Sequence, residues 1–89
     1  MRKSTMNIFK EENNFLVAKF VFADFRTAWA FMNEIAFEAE SSQHHPNWEN
    51  VYNQVVIKLT THDAGNTVTE KDYKLAAHIT AKAQKYLLK

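Results

Sequence analysis

The chain has 89 residues, and its 11 Lys and Arg against 10 Asp and Glu give a formal charge of +1 at pH 7. This balance argues against the concentrated basic surface of nucleic-acid-binding proteins, and the absence of cysteine excludes disulfides, thiol catalysis and zinc–thiolate sites. No signal peptide is visible, nor an apolar run of about 18 residues that could span a membrane. We therefore predict a cytoplasmic protein that binds neither nucleic acid nor membranes. One glycine and one proline leave no room for a linker, which indicates a single domain over residues 1–89.

The first half of the chain predicts a β-hairpin followed by a helix. Residues 8–10 and 15–22 are rich in aromatic and β-branched side chains, and residues 11–14 between them form the predicted turn. Asp24 is a suitable N-cap for a helix that ends near Ser41. The apolar positions of this helix recur every three or four residues, which predicts a buried stripe of Phe25, Ala28, Trp29, Met32, Ile35, Ala36 and Ala39.

The second half predicts a loop, one long strand and a second helix. Pro46 breaks regular structure within residues 42–47, and residues 48–61 then alternate like a half-buried strand. After a turn at residues 63–66, Thr69 and Asp72 have the spacing of a capping box, and the helix runs to about Leu88. The face of the long strand that is predicted to be buried carries Val51, Val55, Ile57 and Leu59.

The order β-β-α-β-α favours an α+β fold, with a largely antiparallel β-sheet and both α-helices packed on one face. The other face is also apolar, because Phe15, Val17 and Val21 lie on it. We therefore expect a second copy of the chain to cover it, in a homodimer or homotetramer.

Four polar residues are candidates for chemistry: His44 and His45 in the loop, His62 after the long strand, and Glu40 at the end of the first helix. Histidine titrates near neutrality, so two histidines could protonate a leaving hydroxyl and accept a proton from a ring nitrogen. Glu40 lies at the negative end of the helix dipole, which favours its protonated form. Solvated loop histidines and a surface glutamate are the plainer alternative. A metal site is disfavoured because adjacent residues of an extended segment point to opposite sides.

Other residues have structural explanations that compete with a functional one. Capping alone accounts for Asp72, and we assign no function to His78 in the second helix. Trp29 fits the core stripe. Trp48 and Tyr52 follow the loop histidines and could stack against a flat heterocycle.

The run of Glu40, His44, His45, Pro46, Trp48, Tyr52, Asn53 and Val55, followed by Thr61 with His62 and by Thr69, Glu70 and Asp72, closely resembles the signature of the pterin-4a-carbinolamine dehydratase family. The resemblance implies an antiparallel α+β fold, dimers or tetramers, and no metal or organic cofactor. It also implies dehydration of the 4a-hydroxytetrahydrobiopterin that aromatic amino acid hydroxylases produce, yielding the quinonoid dihydropterin. The chain departs from the family at its N-terminus, where we expect the usual helix and tryptophan to be missing.

By this resemblance, His44 and His62 are the principal acid–base residues and Glu40 assists them. His45, Pro46, Trp48 and Asp72 are then expected to bind the pterin. The sequence does not distinguish which histidine is the acid and which the base. The rival interpretation is a protein-binding module of the same fold, such as a transcriptional coactivator or an assembly factor, which would need an exposed apolar helix face.

Overall fold

The computed structural model describes residues 8–87, which form one four-stranded sheet and two helices. The elements are β1 (Lys10–Glu12), β2 (Phe15–Val21), α1 (Phe25–Ser42), β3 (Asn47–Val51), β4 (Gln54–Leu59) and α2 (Glu70–Leu87). The strands lie in the order β1-β2-β4-β3, and every neighbouring pair is antiparallel. The predicted α+β class with two helices on one face is confirmed. The order is β-β-α-β-β-α, with one strand more than predicted. The expectation that the family's N-terminal helix is missing concerns residues that lie largely outside the described range.

The core lies between the sheet and the two helices. Alternate residues of β2 and β4 point into it, because successive side chains of a strand face opposite sides. From α1, Phe31 and Ile35 are fully buried against this layer, and Ile79 of α2 joins them. The buried side chains that the two central strands contribute are Leu16, Ala18, Phe20, Val55, Ile57 and Leu59.

The first hairpin is confirmed, but its turn is shorter than predicted. β1 begins at Lys10, and Glu11 and Glu12 belong to the strand. The turn consists of Asn13 and Asn14, whose φ angles are 49° and 68°. A two-residue hairpin turn of this type needs positive φ at both positions, and asparagine tolerates that conformation. The pair of asparagines was therefore the turn signal within residues 11–14.

The predicted long strand over residues 48–61 is wrong, because the chain reverses at Tyr52 and Asn53 to form the β3–β4 hairpin. Tyr52 adopts a φ of 52°, and the side-chain amide of Asn53 donates to the Phe22 carbonyl at 2.9 Å. Such a turn changes which residues share a face. Val51 lies opposite Gln54 and is 69% exposed, so it does not share the buried face of β4.

Helix α1 begins where predicted. The Asp24 carboxylate accepts a hydrogen bond from the Thr27 amide at 2.8 Å, and this bond lowers the pKa of Asp24. The buried stripe, however, is narrower than predicted. Phe25 and Trp29 are 49% and 56% exposed, and Ala36 is exposed as well, so the assignment of these three residues to the core is wrong. The buried residues are Ala28, Phe31, Ile35 and Ala39.

The predicted capping box at the start of α2 is confirmed, since the Asp72 carboxylate accepts from the Thr69 amide at 2.8 Å. The helix extends at least to Leu87, and the predicted end at Leu88 lies outside the described residues. Within residues 8–87, neither helix has the length and apolar character needed to cross a bilayer.

Candidate functional site

The site lies where the C-terminal end of α1 approaches the N-terminal end of α2. Gln43 ends α1 with a left-handed φ of 56°, and its amide donates to the carbonyls of Ala39 and Glu40. The His44 amide also donates to Ala39, at 3.1 Å. This C-cap turns the chain sharply out of the helix, which directs the His44 side chain towards α2.

His44 and Asp72 form the most buried polar pair of the site. The distance between His44 Nε2 and Asp72 Oδ1 is 2.6 Å, and the two side chains are 12% and 0% exposed. An ionised carboxylate can only accept hydrogen bonds, so the His44 Nε2–H must donate. The ring nitrogen left as an acceptor is therefore Nδ1, and the carboxylate fixes this tautomer.

Asp72 accepts from two further donors through its other oxygen. Thr61 Oγ1 lies 2.7 Å from Oδ2, and the Thr69 amide lies 2.8 Å from the same atom. The capping role predicted for Asp72 is thus real, but it accounts for only one of three hydrogen bonds. Because the Asp72 side chain is fully buried, a ligand could not contact it directly, and Asp72 would act on a ligand through His44.

His62 begins a 3₁₀ turn, His62–Ala64, which follows β4 after Thr60 and Thr61. Its Nδ1 is 3.0 Å from Asn66 Oδ1, and an amide oxygen accepts, so Nδ1 carries the proton and Nε2 is free. Gly65 and Asn66 both have positive φ, at 84° and 60°, which closes the turn tightly enough for this contact. Asn66 is a residue that the motif did not point to.

His45 and Glu40 form an exposed pair at the rim. His45 Nε2 is 3.0 Å from Glu40 Oε1, and the two side chains are 60% and 73% exposed. Adjacent His44 and His45 thus have different partners, Asp72 for the first and Glu40 for the second. Glu40 therefore reaches the site through its contact with His45.

A cavity of about 280 Å³ brings the three histidines together. It is lined by the segment that follows β4 together with its 3₁₀ turn, by the loop after α1 and by the first turn of α2. Sequence reasoning missed Lys71 in this lining, since a lysine in the first turn of a helix reads as ordinary surface. The lining residues are Gln43, His44, His45, Thr60, Thr61, His62, Asp63 and Lys71.

Trp48 and Pro46 do not line this cavity. Trp48 lies opposite Ile57 in the sheet and is partly buried against the core, because that register turns it towards the helices. The turn at Tyr52 likewise carries this tyrosine away from the histidines. Stacking of a heterocycle on Trp48 or Tyr52 inside the cavity is therefore not supported.

A second cavity, of about 310 Å³, adjoins the first and shares His44 and Lys71 with it. His78 lies here, 3.8 Å from a carboxylate oxygen of Glu38. Over residues 8–87, histidine and acidic side chains form no group of three that could hold a metal ion. Histidine side chains such as those of the histidine cavity can transfer protons and form hydrogen bonds.

Comparison with known proteins identifies relatives along most of the chain. The sequence model of the family described as pterin 4 alpha carbinolamine dehydratase matches residues 5–82. A candidate pterin-4-alpha-carbinolamine dehydratase of Christiangramia forsetii is 58% identical over 60 residues, which are 67% of this chain and 61% of that protein. One of Prochlorococcus marinus is 46% identical over 81 residues, covering 91% of this chain and 82% of the relative.

Two solved structures share the fold. A transcriptional coactivator/pterin dehydratase from Brucella melitensis superposes with a TM-score of 0.82 at 39% identity, over 88% of this chain and 84% of that one. A pterin dehydratase-like protein identified as a RuBisCO assembly factor in the alpha-carboxysome gives a TM-score of 0.70 at 24% identity, over 84% of this chain and 86% of that one. The second likeness extends to the fold alone.

Proposed function

Because the chain belongs to the pterin 4 alpha carbinolamine dehydratase family, we propose that it removes water from a 4a-hydroxytetrahydropterin and releases a quinonoid dihydropterin. The observation that carries the proposal is the cavity in which His44, His45 and His62 meet. The substrate's source in this proposal is an aromatic amino acid hydroxylase, in the cytoplasm.

The reaction needs two proton transfers. The bond between C4a and the hydroxyl oxygen breaks, and the hydroxyl takes up a proton and leaves as water. N5 gives up its proton, and its electron pair forms the double bond to C4a. One group must therefore donate a proton on one side of the ring while another accepts one, which is general acid–base catalysis.

We assign the base to His44. Asp72 holds the Nε2–H tautomer, which leaves Nδ1 as the acceptor for the N5 proton, and the negative charge behind the ring stabilises the imidazolium that forms. We assign the acid to His62. Its Nδ1–H is engaged by Asn66, so a second proton on Nε2 would be the one given to the leaving hydroxyl.

The remaining predicted residues have supporting roles in this proposal. His45 orients the pterin at the rim, and Glu40 holds the His45 ring through its 3.0 Å contact. Asp72 is a positioning residue, since no surface of it is open to a substrate. Pro46 shapes the loop between the two histidines and β3, and Trp48 anchors that strand in the core.

The test is the rate of dehydration of chemically generated 4a-hydroxytetrahydropterin, followed by ultraviolet absorbance against the uncatalysed reaction. His44→Ala and His62→Ala should each lose on the order of 100-fold or more, because each removes a proton-transfer group. His78→Ala is the matched control, a histidine outside the histidine cavity, and should keep near-normal turnover. Near-normal turnover in both cavity variants, or a wild type that does not accelerate the reaction, would refute the proposal.

A second candidate function is protein binding, and the exposed aromatic side of α1 favours it. Phe25, Trp29 and Phe37 are 49%, 56% and 73% exposed, and the first two rings stack at a centroid distance of 6.4 Å. A single chain rarely exposes several large aromatic residues on one helix unless another surface covers them. This face meets the requirement stated for the rival interpretation, and it could equally join subunits of a homodimer or homotetramer.

Phe37→Glu separates the two roles. If α1 carries an interface between copies, the variant should sediment as a smaller species than wild type, while the histidine cavity is unaltered. Lys74→Glu is a control for added surface charge, because Lys74 is exposed and lies on α2, not on α1. An unchanged sedimentation coefficient for Phe37→Glu would remove the self-association role of this face.

A further inference from the structure

We infer that Thr61 is a positioning residue that fixes the proton of His44 through Asp72. The inference rests on the proposed function, since it concerns how the proposed base is prepared. Thr61 is a buried polar residue, 6% exposed, located between the end of β4 and the turn that carries His62. Its hydroxyl hydrogen-bonds to Thr69 Oγ1 and to Asp72 Oδ2.

The hydrogen-bond donors in this network can be assigned from proton counting. Thr61 has one hydroxyl proton, and it must go to Asp72 Oδ2 at 2.7 Å, because the carboxylate can only accept. The Thr69 hydroxyl, 2.6 Å from Thr61 Oγ1, therefore donates to Thr61. Thr69 Oγ1 in turn accepts from the Lys71 amide at 3.3 Å. Each donor in this series of hydrogen bonds therefore points its proton towards Asp72.

This direction determines which oxygen serves His44. Oδ2 receives the Thr61 hydroxyl and the Thr69 amide, so Oδ1 is left for His44 Nε2 at 2.6 Å. Asp72 is fully buried, so bulk water cannot replace a missing donor. Without the Thr61 hydroxyl, Oδ2 would be left with one donor, and the carboxylate could rotate away from the geometry that holds the Nε2–H tautomer.

Thr61 also connects His44 to His62 through its backbone. Its carbonyl accepts from the amides of Ala64 and Asn66, at 3.2 and 3.1 Å, which closes the turn that presents His62 and Asn66. Its own amide donates to the Thr67 carbonyl at 2.9 Å. Thr61 thus holds Asp72, the side-chain partner of His44, and also closes the backbone turn that carries His62.

The experiment compares Thr61→Val, which keeps the shape and removes the hydroxyl, with Thr61→Ser, which keeps the hydroxyl. Thr80→Val is the matched control, because Thr80 is also buried, at 5% exposure, but has no bond to Asp72. Two readouts are needed: the dehydration rate, and the tautomer of His44 from the nitrogen-15 shifts of its ring in substrate-free protein. The His44 signals are identified by their loss in His44→Ala.

Thr61→Val should lower kcat by roughly 10-fold or more and convert the His44 ring from the Nε2–H form to a mixture of tautomers. Thr61→Ser should keep both wild-type values, and so should Thr80→Val. If Thr61→Val does not fold, Thr61→Cys carries the same prediction, because a thiol is a weak donor. A folded hydroxyl-free variant with wild-type kcat and tautomer would overturn the inference.

The two readouts separate this inference from the proposed function. A wild type without dehydratase activity, together with a tautomer that shifts in Thr61→Val, would sink the proposed reaction and leave the positioning of His44 by Thr61 intact. An active wild type, with Thr61→Val unchanged in both readouts, would support the proposed reaction and overturn the positioning role of Thr61.

Discussion

Asp72 and Glu34 each link α2 to another part of the fold, but they do so in opposite environments. Asp72 is fully buried and accepts from His44, Thr61 and Thr69. Glu34, on α1, has a side chain 30% exposed and contacts three residues of the last turns of α2. Its partners are Lys82 at 3.3 Å, Lys85 at 3.0 Å and the hydroxyl of Tyr86.

The two carboxylates differ in whether water can replace a hydrogen-bond partner that is lost. Water can solvate Glu34 and its lysines if their contacts are lost, so exposed ion pairs of this kind contribute little to stability. No water reaches Asp72, so each lost partner there leaves a buried polar group unsatisfied. The same burial gives the Asp72–His44 pair its fixed geometry. The end of the helix pair that is costly to disturb is therefore also the end that carries the proposed acid–base residues.

The largest effect is expected for Asp72→Ala. The variant loses the α2 cap and leaves His44 Nε2 and the Thr61 hydroxyl without their partner, so we expect unfolding in urea to show a loss of about 2–3 kcal/mol. Dehydration should fall on the order of 100-fold or more in the folded fraction, since the His44 tautomer is no longer fixed. Asp63→Ala, an exposed acidic residue at the same cavity, serves as the control. Equal losses of stability and activity in Asp72→Ala and Asp63→Ala would show that the burial of Asp72 does not cause its larger expected effect.

A smaller effect is expected for Glu40→Gln. Glu40 contacts the site only through the exposed His45, so we expect kcat to change by roughly 3-fold or less, with KM more affected than kcat. Steady-state kinetics on the variant checks this. A loss of kcat as large as that of His44→Ala would instead make Glu40 a direct acid of the reaction, as the resemblance allows.

The smallest effect is expected for Glu34→Gln, with a loss of about 0.5–1 kcal/mol in the free energy of unfolding at pH 7. Hydrogen bonds from Tyr86 and Lys85 lower the pKa of Glu34 from 4.5 to about 2. A carboxyl whose pKa is lowered by folding stabilises the protein above its unfolded pKa, and this contribution is lost as the pH falls.

The advantage of wild type over Glu34→Gln should therefore shrink between pH 4.5 and about 2. Urea unfolding at several pH values measures it, with Glu49→Gln on β3 as a control, because Glu49 is exposed. Dehydration should be unaffected in both variants. A difference that stays constant down to pH 2 would contradict the role given to Tyr86 and Lys85.

Local signals in the sequence were enough for much of the fold. Asp24 and Thr69 mark the starts of the two helices because a cap acts within four residues. Alternation identified the buried faces of β2 and β4 for the same reason, since side-chain direction in a strand depends only on neighbouring residues. The turn at Tyr52 was missed because a tyrosine with positive φ gives no signal of its own.

For the site, the residue types could be predicted from the sequence alone, since the motif contains histidines near a carboxylate in a recognisable spacing. The contacts on which their proposed roles rest could be read only from the folded chain, because these contacts join positions that are distant in the sequence. His44 and Asp72 are 28 residues apart in the sequence, and Thr61 and Asp72 are 11 residues apart. Burial of Asp72, the exposure of Glu40 and the withdrawal of Trp48 into the core all depend on how the helices pack on the sheet. Packing, unlike a helix cap, has no local signature from which it could be predicted.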